Sequence, residues 1–129
     1  MFQIAKALNF MHERGIAHLD IKPENIYAKS GTYKLGDFGC ATLMDHSLGI
    51  EEGDARYMPN EMLKDQCEYL DKVDIFSLGA AIYEILKGTP LPDSGPKFYS
   101  LREGKISLLP GYPVQFQNLL KVFYFAFSR

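Results

Sequence analysis

The stretch from Asp71 to Lys87 limits the possible folds more than any other part of the chain. Val73, Ile75, Phe76, Leu78, Ala80, Ala81, Ile82, Ile85 and Leu86 would cover almost the whole circumference of a helix. Gly88 stands where such a helix ends, and Pro90 follows just beyond it. A helix apolar on nearly every side has to be wrapped by other elements. The apolar core of this stretch, Val73 to Leu86, carries Asp74 and Glu84 and is shorter than a membrane span.

The wrapping elements are legible as patterns. Met1, Ile4, Ala5, Leu8 and Met11 share one face of a helix over Met1 to Arg14, with Gly15 as its stop. Ile26-Tyr27-Ala28 and Thr32-Tyr33-Lys34-Leu35 flank Ser30-Gly31 and predict a hairpin. From Gly36 to Met58 periodicity fades, which predicts a long functional loop. A short helix is expected over Phe98 to Arg102. Another is expected after Pro113, with Phe116, Leu119, Leu120, Phe123 and Phe127 on one face. The fold expected is mainly α with a small β-hairpin.

Composition narrows the partners. The 129 residues carry 14 basic and 16 acidic side chains, a net charge of -2, and no basic face suited to nucleic acid. Cys40 and Cys67 form no CxxC, and with three scattered histidines they supply no zinc spacing, so both are read as reduced thiols. Lys6, Asn9, His12 and Glu13 interrupt any signal peptide. A soluble chain without a membrane partner is expected; oligomeric state is open.

The chemistry sits in His18-Leu19-Asp20-Ile21-Lys22-Pro23-Glu24-Asn25, followed twelve positions after Asn25 by Asp37-Phe38-Gly39. The pair resembles the protein-kinase catalytic loop H-x-D-x-K-P-x-N and the metal-binding D-F-G. Five specified residues in eight positions, each matched by chance about one time in twenty, make coincidence negligible. Phosphoryl transfer demands positioning and charge neutralisation more than covalent help. Asp20 can accept the proton of an attacking hydroxyl, and Lys22 can steady the oxygens of the transferring phosphate. Asn25 and Asp37 offer hard oxygen ligands for Mg²⁺ bridging the phosphates of ATP. Taken singly, Asp20 could be a turn residue and Asn25 a cap. His12 and His46 are read as without special role, and Lys34 as a solvated strand residue.

Two further features match the kinase scaffold. Arg56-Tyr57-Met58-Pro59-Asn60-Glu61 takes the place of the A-P-E motif, so the activation segment would run from Asp37 to Glu61. Asp74 matches the aspartate of D-x-W-S-x-G. The resemblance implies that it accepts N–H groups of the catalytic loop and that His18 packs beside Phe38. A plain helix-dipole role for Asp74 is compatible with this. The stretches Gly36–Thr42, Glu51–Pro59, Leu70–Gly79, Leu101–Lys105 and Leu109–Gly111 are similar to the Wee family of mitotic-inhibitor kinases, and most to its plant branch. The resemblance covers roughly residues 2 to 121 and leaves 122–129 as a divergent aromatic tail.

It implies a nuclear enzyme, otherwise a cytoplasmic one, that phosphorylates the inhibitory tyrosine of a cyclin-dependent kinase. Lys22-Pro23, however, is the signature of the serine/threonine group, so a generic Ser/Thr kinase stays open. Leu19 stands where many kinases place an arginine that pairs with a phosphorylated activation loop, which implies activity independent of such phosphorylation. The sequence contains no G-x-G-x-x-G, and the expected scope is the C-terminal lobe only, without the N-lobe and last helices. On that reading Glu61 lacks its arginine partner, and the chain alone is weakly active or inactive. A non-catalytic kinase-fragment binding module and a truncated gene product are the alternatives.

Overall fold

The computed structural model describes residues 2–51, 53–63, 68–103, 105, 107 and 109–125, with the helical backbone alone at 122–125. Cys67 and Phe127 lie outside the described residues, as does Met1. The helices are α1 (Phe2–Glu13), α2 (Asn60–Leu63), α3 (Leu70–Lys87), α4 (Gly95–Arg102) and α5 (Val114–Phe125). Strands β1 (Ile16–Ala17) and β4 (Thr42–Leu43) form one antiparallel pair, and β2 (Ile26–Lys29) and β3 (Thr32–Leu35) form another.

The central helix forms as its apolar run requires. Gly88 closes α3 in the left-handed region at φ 76°, where a Cβ would be strained, and its N–H donates to Glu84 O. Val73, Phe76, Leu78, Ala80, Ala81 and Tyr83 are all buried. Three core clusters share this helix. Phe76, Ala80 and Tyr83 meet Tyr57, Leu91, Leu101 and Leu120. Val73 meets Ala17, Leu19, Met58 and Met62. Leu78 meets Ile4, Leu8 and Ile21. α1 and the catalytic-loop segment therefore pack on one side of α3, and α4 and α5 on another. The wrapping is not complete, because Ile85 is 57% exposed.

The hairpin takes the expected register, with Ile26 opposite Leu35 and Lys29 opposite Thr32. Ser30 and Gly31 both have positive φ, at 51° and 78°, the twist that a two-residue hairpin turn needs. Lys34 is exposed, as a solvated strand residue should be. Two local expectations change. The stretch from Gly36 to Met58 is not all loop: it contains β4, which pairs Thr42 with Ala17, and a 3-10 turn at Ala55–Tyr57. A two-residue strand has no periodicity to read; the pairing comes from its partner across the chain. α4 begins at Gly95 rather than Phe98, with Pro96 in its first turn, where a missing N–H costs nothing. The last helix, α5, runs from Val114 to Phe125.

The asymmetric burial of α3 predicts an asymmetric response to truncation. Phe76→Ala should cost about 3–5 kcal/mol and Ile85→Ala less than about 1 kcal/mol, read from urea unfolding midpoints at constant m. Equal losses at the two positions would overturn the packing described.

Candidate active site

The site is built outward from Asp74, which is fully buried on the first half of α3. Its Oδ2 accepts the backbone N–H of His18 at 2.8 Å, and its Oδ1 accepts that of Leu19 at 2.9 Å. These are the contacts the D-x-W-S-x-G resemblance implies. A third partner overturns one expectation: His12 Nε2 lies 2.8 Å from Asp74 Oδ2, so His12 is no bystander. A buried carboxylate is tolerated only when its lone pairs are matched, and this one is matched three times. The two backbone bonds also hold Leu19 at φ 64°, a conformation costing a leucine roughly 1–2 kcal/mol. Leu19 itself is buried against Met58, Met62, Leu70 and Val73. It offers no charge to a phosphate.

From that anchor the loop presents Asp20 and then Lys22, whose backbone is extended at φ −157° and ψ 163°. Pro23 opens a 3-10 turn that ends at Asn25. The Asn25 side chain folds back, and its Nδ2 donates to Asp20 O at 2.7 Å and to Asp20 Oδ2 at 3.1 Å. With its nitrogen so used, Asn25 keeps its amide oxygen as a free acceptor. Asn25 O accepts Gly36 N–H at 2.9 Å, and His18 Nε2 lies 2.8 Å from Gly36 O. Gly36 is thereby fixed to the catalytic loop from two sides, and Asp37 follows it directly. A Cβ at Gly36 would meet the exposed Tyr27 ring, which would have to swing aside. Asp37 has φ 52° and is exposed, and its Oδ1 accepts Gly39 N–H at 3.2 Å. The Phe38 ring lies 5.4 Å from that of His18. Hydrogen bonds running through His18 and Gly36 thus tie Asp20, Asn25 and the residue before Asp37 into one network.

The far end of the long segment returns to cover Asp20, which sequence reasoning did not anticipate. A Cβ at Gly53 would come within 2.6 Å of Leu19 O and 2.7 Å of Asp20 Oδ1, so only glycine lets the backbone lie there. Asp54 N–H points at Asp20 Oδ1 at 3.4 Å. The Asp54 carboxylate lies 3.6 Å from Lys22 Nζ and pairs with Arg56 through both its oxygens, at 3.0 and 2.6 Å. Those contacts, the Arg56 bonds above all, hold the Asp54 carboxyl below the usual range. The turn beyond is tied down by Tyr57, whose hydroxyl donates to Glu84 at 2.8 Å, and by Arg102, which donates to Ala55 O. Nothing local in the sequence marks Asp54, Tyr57 or Arg102 as partners of the loop. His46 likewise has a partner, Glu68 O at 3.1 Å.

Carboxylates dominate the charge around Cys40. Burial pushes the Cys40 thiol up, and the charges of Asp20, Glu51 and Asp37 push it further the same way. Cys40 is a free thiol, as expected. Excess carboxylate suits a divalent cation that arrives with its own phosphates. Among the described residues no three His, Cys, Asp or Glu side chains form a cage for an ion. Mg²⁺ fits this arrangement, since it keeps waters and phosphate oxygens and needs only one or two protein oxygens. Glu61 is half-buried rather than enclosed, and no hydrogen bond or ion pair joins it to any described residue. A half-buried carboxylate keeps part of its hydration, so it needs a partner less than a sealed one does.

The comparisons agree with this geometry. The protein kinase domain family matches residues 1–108. A Wee1-like protein kinase of Oryza sativa subsp. japonica is 73% identical over 121 residues, covering 94% of this chain and 23% of that protein. One from Arabidopsis thaliana is 63% identical, with 94% and 24% covered, and one from Drosophila melanogaster is 31% identical, with 93% and 25% covered. The chain spans about a quarter of the length of the curated relatives it matches. With the loop, the D-F-G segment and the family match in agreement, the chain belongs to the protein kinase family, and its sequence is similar to those of Wee1-like protein kinases.

Proposed function

We propose that this chain is the catalytic-loop part, the C-terminal lobe, of an ATP-dependent, Wee-type protein kinase. The observation that supports the reading is the hydrogen-bond link from Asp20 through Asn25 to Gly36, the residue directly before Asp37. Asp20 takes the proton of the acceptor hydroxyl. Its orientation is held by the Asn25 amide and by the Asp54 N–H. Lys22 sits close enough to the same carboxylate cluster to offset phosphate charge. The Asn25 amide oxygen and the Asp37 carboxylate are the groups that would hold Mg²⁺, which neutralises the charge on ATP when bound. His18, Phe38, Gly39 and Asp74 hold the frame.

The substrate is a protein hydroxyl. The Wee-type sequence supports the inhibitory tyrosine of a cyclin-dependent kinase as the target and the nucleus as the place of action, with delayed cell division as the outcome. The buried Leu19 and the ordered turn around Asp54 support activity that needs no phosphate on the segment from Asp37 to Glu61.

Three outcomes test the reading. ATP with Mg²⁺ should raise the melting temperature of the purified chain, by about 2.7 kcal/mol of stabilisation at a hundredfold excess over Kd, and Asp37→Ala should abolish the shift. Equal shifts in both proteins would remove Asp37 from the nucleotide site. In the full-length protein Asp20→Asn should lower kcat by about 10²- to 10⁴-fold on a tyrosine peptide. Phosphate found on serine or threonine instead would move the enzyme to the Ser/Thr group. Phosphatase treatment of the full-length protein should leave activity within about twofold, whereas loss traced to a site in the activation segment would refute the role given to Leu19.

A further inference from the structure

A second concave site lies away from the catalytic loop, between the C-terminal end of α3 and the start of α4. Its floor is apolar and buried, made by Tyr83, Leu91 and Leu101. Its rim carries Lys87, Lys97 and Lys105. The cavity holds about 230 Å³, smaller than the roughly 300–1,000 Å³ of small-molecule sites. That is room for two or three side chains.

The charge at this rim runs against the rest of the molecule. The whole chain is net negative at -2, yet three lysines converge here. Lys105 is offset by Glu103 at 3.0 Å. Among the described residues no carboxylate lies within ion-pair distance of Lys87 or Lys97. The nearest acidic group on α3, Glu84, is committed to the Tyr57 hydroxyl and to Leu91 N–H and does not line the cavity. Like charges gathered without counter-charges repel one another, so the arrangement has a cost that an anionic occupant would remove. The cavity also sits one helix away from the candidate active site. Arg102, on the same helix as Lys97, donates to Ala55 O in the turn that follows Asp54.

We propose that this groove is a docking site for an acidic peptide segment of a protein partner, its carboxylate groups paired with Lys87 and Lys97 and a flanking apolar side chain seated on Tyr83 and Leu101. Three lysines on a net-negative chain are too few for nucleic acid, whose binding rests on many phosphate contacts. The proposal goes beyond the kinase reading, because binding here is independent of ATP turnover.

Fluorescence anisotropy with a labelled hexaglutamate peptide carrying one leucine tests it on the purified chain. The peptide should bind, more weakly as salt rises, and Lys87→Glu with Lys97→Glu should weaken it about tenfold. The matching pair Lys29→Glu and Lys72→Glu, on exposed positions elsewhere, should leave affinity within about twofold. A phosphoserine peptide of the same length that competes for the groove would identify phosphoryl groups as the better occupant, and binding by glutamate alone would identify carboxylates. If the charge-reversed chain fails to melt cooperatively, Lys87→Gln with Lys97→Gln replaces it, with a smaller loss expected. Absence of binding by either peptide overturns the proposal, as does equal weakening by the control pair. Asp37→Ala should leave the peptide affinity unchanged, so failure of the nucleotide site and failure of this one are read separately.

Discussion

The buried carboxylate of Asp74 is the constraint on which the rest depends. It sits in the N-terminal half of the long apolar helix α3, where an unmatched charge could not survive, and its three bonds go to His12, His18 and Leu19. Each bond ties a different part of the structure to α3. His12 brings the end of α1, and the two backbone N–H groups bring the start of the catalytic loop. The strained conformation of Leu19 is tolerable only inside this arrangement. The next residues of the loop, Asp20 to Asn25, therefore start from a fixed point.

From that point rigidity passes outward through hydrogen bonds rather than through apolar packing. Asn25 closes the loop on Asp20, and Gly36 is held between Asn25 and His18, so the residue before Asp37 is tied to the loop although the hairpin separates them in sequence. The hairpin acts as a spacer of set length. Its turn at Ser30-Gly31 has the twist that keeps β2 and β3 paired, and its open end delivers both site residues. A longer or looser connection would leave Asp37 free to wander, and its charge would contribute little to a shared field.

The end of the activation segment adds a second layer. Gly53 and Asp54 lie against Asp20, and Asp54 stands between two cations, Lys22 and Arg56. The cluster is only partly exposed, so its Coulomb energy is screened less than that of a surface pair. Tyr57 and Arg102 anchor the turn from beneath, to α3 and α4 respectively. Order in this segment thus comes from groups built into the chain.

Much of this was legible in the sequence because it is local. The apolar run of α3, the glycine that ends it, the hairpin with its Ser-Gly turn, and the spacing from Asp20 to Asn25 to Asp37 are patterns within a few residues or at a set interval, and each carries a periodicity or chemistry of its own. The sequence by itself determined which carboxylate, amide and ammonium groups the loop and the D-F-G segment carry. Tertiary structure decided which of them are held, and by what. His12 meets Asp74 across 62 positions and Asp54 meets Asp20 across 34. A histidine on a helix and an aspartate in a loop look the same in sequence whether they face water or a partner. Only chain folding brings the second group close, and hydrogen-bond strength depends on a distance that no local pattern encodes.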